Sequence, residues 1–278
     1  MGASPEKAAG IGQICHRGGM RVTGVDACRH GWVAVSLDAP GPAADLPATD
    51  LPAADLPAAD LRAADLRAAA RPGSARAGRL RVDAVRAHAS LAGVLEGDEA
   101  SVVGIDMPLG LLESGWREAD RAARGLLGPR RSSVFAIPPR EVWAQASYPA
   151  ANQRCRELTG RGLPIQAWGL RAKLLEADQY RVTCGHPLYE VHPELAFGAM
   201  AGTPLVHSKH TPAGRELRRQ LLGLAGIVVP RVPRAPVTDT LDAAAVAWSA
   251  WRIATGKAVV VPARPQRDGQ GREIAIRY

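Results

Sequence analysis

The sequence predicts an α/β domain in which a mixed sheet of five strands carries helices on its faces. Three strand-like segments follow one another early in the chain, and the later part alternates short apolar runs with long helical patterns. The chain has 278 residues, 46% of them hydrophobic, which is enough to bury a sizeable core. An opening hairpin, and the lack of a glycine-rich nucleotide fingerprint after any strand, argue against a dinucleotide-binding or P-loop domain.

The first ordered element is expected at residue 21, after a disordered leader over residues 1–20. Residues 21–26 and 31–37 are predicted to be strands, and the short connection between them predicts an antiparallel hairpin. Residues 78–85 alternate apolar and polar side chains, as a third strand does. The domain is therefore expected to span residues 21–278.

A low-complexity repeat separates the second predicted strand from the third. Residues 44–68 repeat Ala-Ala-Asp-Leu-Pro or Ala-Ala-Asp-Leu-Arg with a period of five. The units resemble pentapeptide-repeat solenoids, but they make little more than one coil, and a single coil cannot bury its own face. Proline at every fifth position of the first half also opposes strand pairing. We therefore predict a disordered or loosely helical insert over about residues 41–77.

The later part of the chain supplies the central strand and most of the helices. Residues 100–106 form a continuous apolar run that ends in Asp106, as a buried central strand does, and Pro108 prevents its extension. The remaining elements are a helix over 86–97, helices over 116–176 with a break at 128–139, a fifth strand over 187–192, and helices over 213–224 and 239–255.

Acidic residues stand where several of these elements end or begin. Asp26 ends the first strand, Asp106 ends the fourth, Glu190 lies in the fifth, and Asp239 and Asp242 open the last helix. Each one alone has an ordinary explanation as a turn or helix-cap residue. If they converge, their mutual repulsion calls for protons or cations.

Carboxylate oxygens select hard ions such as Mg²⁺ or Mn²⁺. Two such ions about 4 Å apart can activate water and stabilise the leaving oxygen of a phosphodiester. The acids therefore indicate metal-dependent phosphodiester hydrolysis, provided that the fold brings them together.

Basic residues offer a second set of candidates. Lys and Arg number 35 against 27 Asp and Glu, a balance that permits phosphate-rich partners but also simply favours solubility. Arg117, Arg121 and Arg124 recur at helical spacing, and Arg130, Arg131 and Arg140 follow around Ser132 and Ser133. These arginines form either a phosphate clamp or a solvated face paired with nearby acids. Lys209 either neutralises a transition-state oxygen or caps a turn. The candidate substrate-binding residues are Arg121, Arg124, Arg131, Ser132, Ser133 and Lys209.

Cysteine and hydropathy patterns bear on the compartment. The four cysteines form no C-x-x-C pair, which favours reduced thiols and a cytoplasmic protein. No stretch of about 18 apolar residues exists, so no membrane segment is expected. The histidines lack the spacing of zinc ligands.

Seven ordered motifs resemble a bacterial and archaeal family of unknown function whose members are described as predicted ribonuclease-H-fold nucleases. The resemblance runs from about residue 22 to residue 278, apart from the repeat insert. The motifs are Gly24-Val-Asp-Ala-Cys-Arg-His-Gly-Trp32, Gly104-Ile-Asp-Met-Pro-Leu-Gly110, Asp120-Arg-Ala-Ala-Arg124, Leu127-Gly-Pro-Arg-Arg-Ser-Ser-Val-Phe135, Glu190-Val-His-Pro-Glu194, Lys209-His-Thr-Pro-Ala-Gly214 and Asp239-Thr-Leu-Asp-Ala-Ala-Ala245. The first turn departs from the family, which is usually richer in glycine there.

The resemblance implies a ribonuclease-H-like fold, akin to Holliday-junction resolvases of the RuvC type. In such folds an acid on the first strand, one on the fourth and one on a late helix hold two metal ions. By position these are Asp26, Asp106 and Asp242, with Asp239 and Glu190 as further candidates.

The implied partner is nucleic acid, with DNA or RNA and the oligomeric state left open. Two other functions remain open at this point. One is an ATP-using enzyme of the same fold superfamily, and the other is a non-catalytic binding protein whose contact surface is the repeat.

Overall fold

The computed structural model describes residues 19–41, 80–184, 187–233 and 235–278. Its five-stranded sheet has the order β3-β2-β1-β4-β5. Strand β2 is antiparallel to both of its neighbours, whereas β1, β4 and β5 are parallel. The strands are β1 (Gly19–Cys28), β2 (Gly31–Pro40), β3 (Arg81–His88), β4 (Val102–Asp106) and β5 (Leu188–Glu190). The predicted α/β class with a mixed, helix-flanked sheet of five strands is therefore confirmed.

Helices cover both faces of the sheet. They are α1 (Leu91–Val94), α2 (Glu118–Leu127), α3 (Arg140–Trp143), α4 (Tyr148–Thr159), α5 (Ile165–Gly169), α6 (Arg171–Thr183), α7 (Pro193–Ala201), α8 (Pro212–Leu224) and α9 (Val237–Ala254). A 3-10 helix, Gly128–Ser133, follows α2, and a hairpin of β6 (Val260–Arg267) and β7 (Glu273–Arg277) ends the chain. No helix in the described part of the chain is long and apolar enough to cross a membrane.

The strand period of two divides the core into two halves. Val25 and Ile105 point to the face covered by α1 and α3 to α6. Val22 and Val102 point to the opposite face, which is covered by α7, α8 and α9. Every second residue of β1 and β4 therefore faces α9. Side chains at those alternate positions lie on the same face of the sheet and can contribute to one site.

Two glycines allow α9 to lie directly on the sheet. A Cβ at Gly24 would stand 2.0 Å from the backbone nitrogen of Ala247 and 2.2 Å from the carbonyl oxygen of Ala243. A Cβ at Gly104 would stand 2.9 Å from a methyl group of Val246. Because these positions lack side chains, the alanine-rich helix approaches β1 and β4 closely, and its first turns reach the carboxyl ends of both strands.

The predicted helix over 86–97 is confirmed only for Leu91–Val94. Strand β3 continues to His88, which pairs with Trp32 of β2. The first three residues of the predicted helix, 86–88, therefore belong to the sheet. Only one helical turn follows, capped by Ser90, whose hydroxyl accepts a hydrogen bond from Gly93 N–H. The predicted fifth strand over 187–192 is confirmed only in its centre, Leu188–Glu190.

The C-terminal hairpin has no counterpart among the predicted elements. Pro262 and Pro265 interrupt β6, and proline within an apolar run argues against a strand. The hairpin forms because Ile274 and Ile276 pack against Ala119 and Ala123 of α2.

Two predictions concern residues that the structure does not describe. Of the leader, residues 1–18 lie outside the described ranges, while Gly19 and Met20 already belong to β1. The repeat falls between β2 and β3, and residues 42–79 lie outside the described ranges as well. Both stay predictions.

Candidate functional site

Asp26 and Asp106 lie side by side at the carboxyl ends of two neighbouring parallel strands. They are register partners of β1 and β4, and each follows by two residues a glycine that contacts α9. Their side chains therefore share the α9 face. The two carboxyl groups are within hydrogen-bonding reach of each other. Such a pair holds a proton or a cation more readily than two full negative charges.

Asp242 brings a third carboxyl to the same place. It lies in the second turn of α9, is 1% exposed, and accepts a hydrogen bond from the Lys209 ammonium at 2.5 Å from Nζ to Oδ2. Burial is the largest cause that raises the pKa of Asp106 to about 7, that of Asp242 to about 6, and that of Asp26 well above its ordinary value. The positive charge of Lys209 opposes all three shifts.

Lys209 is positioned by a tight turn before α8. The Thr211 N–H donates to the Ser208 carbonyl at 3.0 Å, and the Thr211 hydroxyl caps the helix by accepting from Gly214 N–H. A Cβ at Gly214 would stand 2.0 Å from the Ser208 carbonyl oxygen. The spacing Lys-x-Thr-x-x-Gly therefore forms a compact turn, and the lysine amine leaves it toward the acids.

Glu190 faces the other side of the sheet. Its register partner is Ile105, the neighbour of Asp106, and successive residues of a strand point to opposite faces. The Glu190 carboxylate accepts hydrogen bonds from Leu109 N–H at 2.8 Å and from Arg117 at 2.5 Å. Glu190 therefore does not share the α9 face with Asp26 and Asp106, but it lines the same cleft, and its charge contributes to the raised pKa of Asp106.

Arg117 links Glu190 to another buried acid, Asp120. Its guanidinium lies 3.5 Å from the Asp120 carboxylate, which also accepts a hydrogen bond from Ile137 N–H at 2.8 Å. Burial raises the pKa of Asp120 to about 7. These side chains form a second polar network beside the first.

A cleft of about 490 Å³ opens above both networks. Its floor contains Asp26, Asp106, Asp242 and Lys209, and Arg130, Ser132 and Ser133 border it through the 3-10 helix. The rest of the lining includes the acids Asp120, Glu190 and Glu194 and the apolar residues Met107, Pro108, Val134, Phe135, Leu170 and Ile276. The cleft is thus lined by acidic, cationic and apolar side chains together.

Residues 24–267 match the family model described as protein of unknown function (DUF429). The chain belongs to this family. The match includes the three aspartates of the floor and Lys209. Among curated proteins no sequence matches. Among solved structures, Thermus thermophilus RuvC matches with 15% identity and a TM-score of 0.34, over 86% of this chain and 98% of that one.

Several predicted site residues of this DUF429 protein lie outside the cleft. The Arg121 side chain is 80% exposed and pairs with Glu118, which matches the interpretation of a solvated face. Arg124 donates a hydrogen bond to the Val134 carbonyl at 2.6 Å, and so it helps to fix the backbone of a residue that lines the cleft. Arg131 is exposed and does not line the cleft.

Asp239 does not line the cleft, although its charge contributes to the raised pKa of Asp26. It lies in the first turn of α9, which begins at Val237 after Pro236, so it is not the cap that the sequence indicates. Its carboxylate accepts a hydrogen bond from the Thr238 hydroxyl at 2.9 Å. Asp242, one turn further along, is the acid of this helix that reaches the cleft.

Glu194 and Arg130 also line the cleft. Glu194 binds Arg218 at 2.6 Å and lies 3.7 Å from Arg130, while its Oε2 atom is buried without a hydrogen-bond partner. His192 approaches the Ser133 carbonyl at 3.3 Å through Nε2, and burial lowers its pKa. The motifs around residues 120–135 and 190–194 contain all of these positions and were the available signal.

The donor set of the floor fits a hard divalent ion. Mg²⁺ is commonly bound through one or two carboxylates together with substrate phosphates and water, and Asp26 and Asp106 supply such a pair. In the described ranges no group of three or more His, Cys, Asp or Glu side chains is arranged to hold a metal ion. Asp242 is the nearby third acid, and its carboxylate is bound to Lys209.

Proposed function

We propose that this DUF429 protein is a metal-dependent phosphodiesterase that hydrolyses nucleic acid. The observation that supports this best is the convergence of Asp26, Asp106 and Asp242, from β1, β4 and α9, on the floor of one cleft. Burying acids together raises the free energy of the fold unless a cation or protons compensate. The arrangement is therefore better explained by chemistry than by stability.

In this proposal the acids of the floor bind the metal ion, and the residues beside them bind the substrate. A Mg²⁺ or Mn²⁺ ion held by Asp26 and Asp106 would stabilise the charge that develops on the phosphoryl oxygens. Lys209 holds Asp242 in place and adds a positive charge to the floor. Arg130 presents a guanidinium at the cleft side, where it suits phosphate oxygens.

The remaining walls suit a nucleotide. Ser132 and Ser133 offer hydroxyl donors next to Arg130, and Phe135 and Leu170 supply an apolar surface against which a base can stack. This assignment keeps Ser132, Ser133 and Lys209 as substrate-side residues and replaces Arg121, Arg124 and Arg131 with Arg130. The net charge of +8 favours a phosphate-rich substrate.

Replacing either acid of the pair tests the proposal. Asp26→Asn and Asp106→Asn should each lower kcat about a hundredfold or more, because each removes a charged ligand of the ion. The measurement uses labelled single-stranded DNA, single-stranded RNA, duplexes and bis(p-nitrophenyl) phosphate, with Mg²⁺, Mn²⁺ or EDTA. The control is Asp38→Asn, an exposed acid at the other end of the β1–β2 hairpin.

Cleavage that persists in EDTA, or that Asp106→Asn leaves unchanged, would contradict the proposal. Hydrolysis of ATP with none of the phosphodiesters cleaved would instead assign the protein to the ATP-using enzymes. Cleavage of RNA but not DNA, or the reverse, would identify the polymer.

A further inference from the structure

We propose that Lys209 takes the place of a second divalent ion, so that the cleft holds one metal ion where two-metal nucleases hold two. The inference rests on the proposed function and concerns the stoichiometry of the same site. The observation behind it is that the ammonium of Lys209 already occupies the Asp242 carboxylate.

The charges of the floor balance with one ion. Asp26, Asp106 and Asp242 carry three negative charges when ionised, and Lys209 carries one positive charge among them. The remaining two negative charges are neutralised by a single divalent ion. A second ion would leave the floor with a net charge of +2 in a buried place, where like charges repel strongly.

Most of the neighbouring acids are bound to a cation other than Lys209. Asp239 instead accepts a hydrogen bond from the Thr238 hydroxyl. Glu194 is paired with Arg218 at 2.6 Å. Glu190 and Asp120 share the guanidinium of the fully buried Arg117. Each of these three carboxylates is therefore bound to an arginine, although the Oε2 atom of Glu194 is buried without a hydrogen-bond partner.

The position of Lys209 is fixed by the backbone. Gly214 lets the Ser208 carbonyl approach the start of α8, and Thr211 caps that helix. The Lys209 side chain is 31% exposed, so most of it lies against protein. A lysine on a turn this compact remains beside Asp242 and does not leave the site open to a second ion.

The experiment counts Mn²⁺ ions per chain by isothermal titration calorimetry and by electron paramagnetic resonance of free Mn²⁺. The unsubstituted protein should bind one ion. Lys209→Met keeps the apolar stem but removes the charge, so it should bind two. Lys209→Arg should bind one, as should Lys257→Met, the control that removes an exposed lysine from another part of the chain.

A double variant separates charge from structure. Adding Asp242→Asn to Lys209→Met removes the acid that would hold the second ion, and the count should return to one. Lys209→Met that still binds one ion would overturn the inference. So would an unsubstituted protein that binds two, a measurement that needs no variant and leaves the proposed function standing. An unsubstituted protein that binds no ion overturns both.

Discussion

Single side chains in this cleft titrate near neutral pH because they are buried together. Asp106 and Asp120 are both raised to a pKa of about 7, although one faces α9 and the other lies beside Arg117. Desolvation is the largest cause in both cases. The protonated form of each is therefore favoured by the fold compared with the unfolded chain, in which Asp titrates near 4.

Asp120 provides a prediction at this scale. Its pKa in the fold is about 7, above the ordinary 3.8, so its contribution to stability is present in acid and is lost as pH rises toward 7. Asp120→Asn keeps an acceptor for Ile137 N–H but does not titrate. Thermal unfolding between pH 4 and pH 8 should show a weaker fall of Tm with pH in this variant. Identical slopes in both proteins would refute the assignment.

The identity of individual site residues could be predicted only in part. Asp26 and Asp106 stand at visible strand ends, so their convergence follows once the strands are parallel neighbours. The face on which Glu190 lies depends on the register between β4 and β5, and no local pattern encodes that register. Arg130 lines the cleft and Arg121 does not, because the 3-10 helix Gly128–Ser133 directs the Arg130 side chain to it. The spacing of arginines in the sequence does not reveal that direction.

Among the elements, α9 sets the dimensions of the site. Its residues from Thr240 to Ala250 are buried, and the helix lies directly on Gly24 and Gly104. Its existence was evident from the alanine-rich run, but its close approach depends on glycines two residues before each strand-end acid. The role of those glycines, which is to make room for α9, is visible only in the folded structure, where the helix packs on the sheet.

Gly24→Ala should displace α9 and disturb both stability and metal binding. The new Cβ would meet backbone atoms that cannot rotate away, and overpacking of this kind typically destabilises by about 1–3 kcal/mol. Calorimetry should show a Tm lower by several degrees, together with weaker Mn²⁺ binding. The matched control is Gly125→Ala in α2, where a Cβ meets open space. Equal Tm values for Gly24→Ala and the unsubstituted protein would argue against direct contact between α9 and β1.

For the whole molecule, metal ions and protons both shift the equilibrium between the folded and the unfolded chain, because both bind the carboxylates of the floor. As pH rises, the acids of the floor ionise and repel one another, so the metal-free fold is weakened and its affinity for a cation rises. Below about pH 5 protons take the place of the ion.

Mn²⁺ should therefore raise Tm at pH 8 and have little effect at pH 5. At a hundredfold excess over Kd the stabilisation is about 2.7 kcal/mol, which corresponds to roughly 5 °C for a chain of this size. Differential scanning calorimetry with Mn²⁺ or EDTA measures the shift, and Asp26→Asn is expected to abolish it. An equal shift at both pH values would contradict the assignment of the ion to these carboxylates.

The connection between β2 and β3 leaves and re-enters the sheet far from the acids. Pro40 pairs with Gly19 at the start of β1, whereas Asp26 lies seven residues further along that strand, roughly 20 Å away. Residues can be gained or lost in this connection without altering the register that holds Asp26 beside Asp106, because both attachment points belong to an already paired ladder. Changes in the number of repeat units during evolution would therefore leave the geometry of the acidic site unchanged, and selection for that geometry would not constrain the length of the repeat.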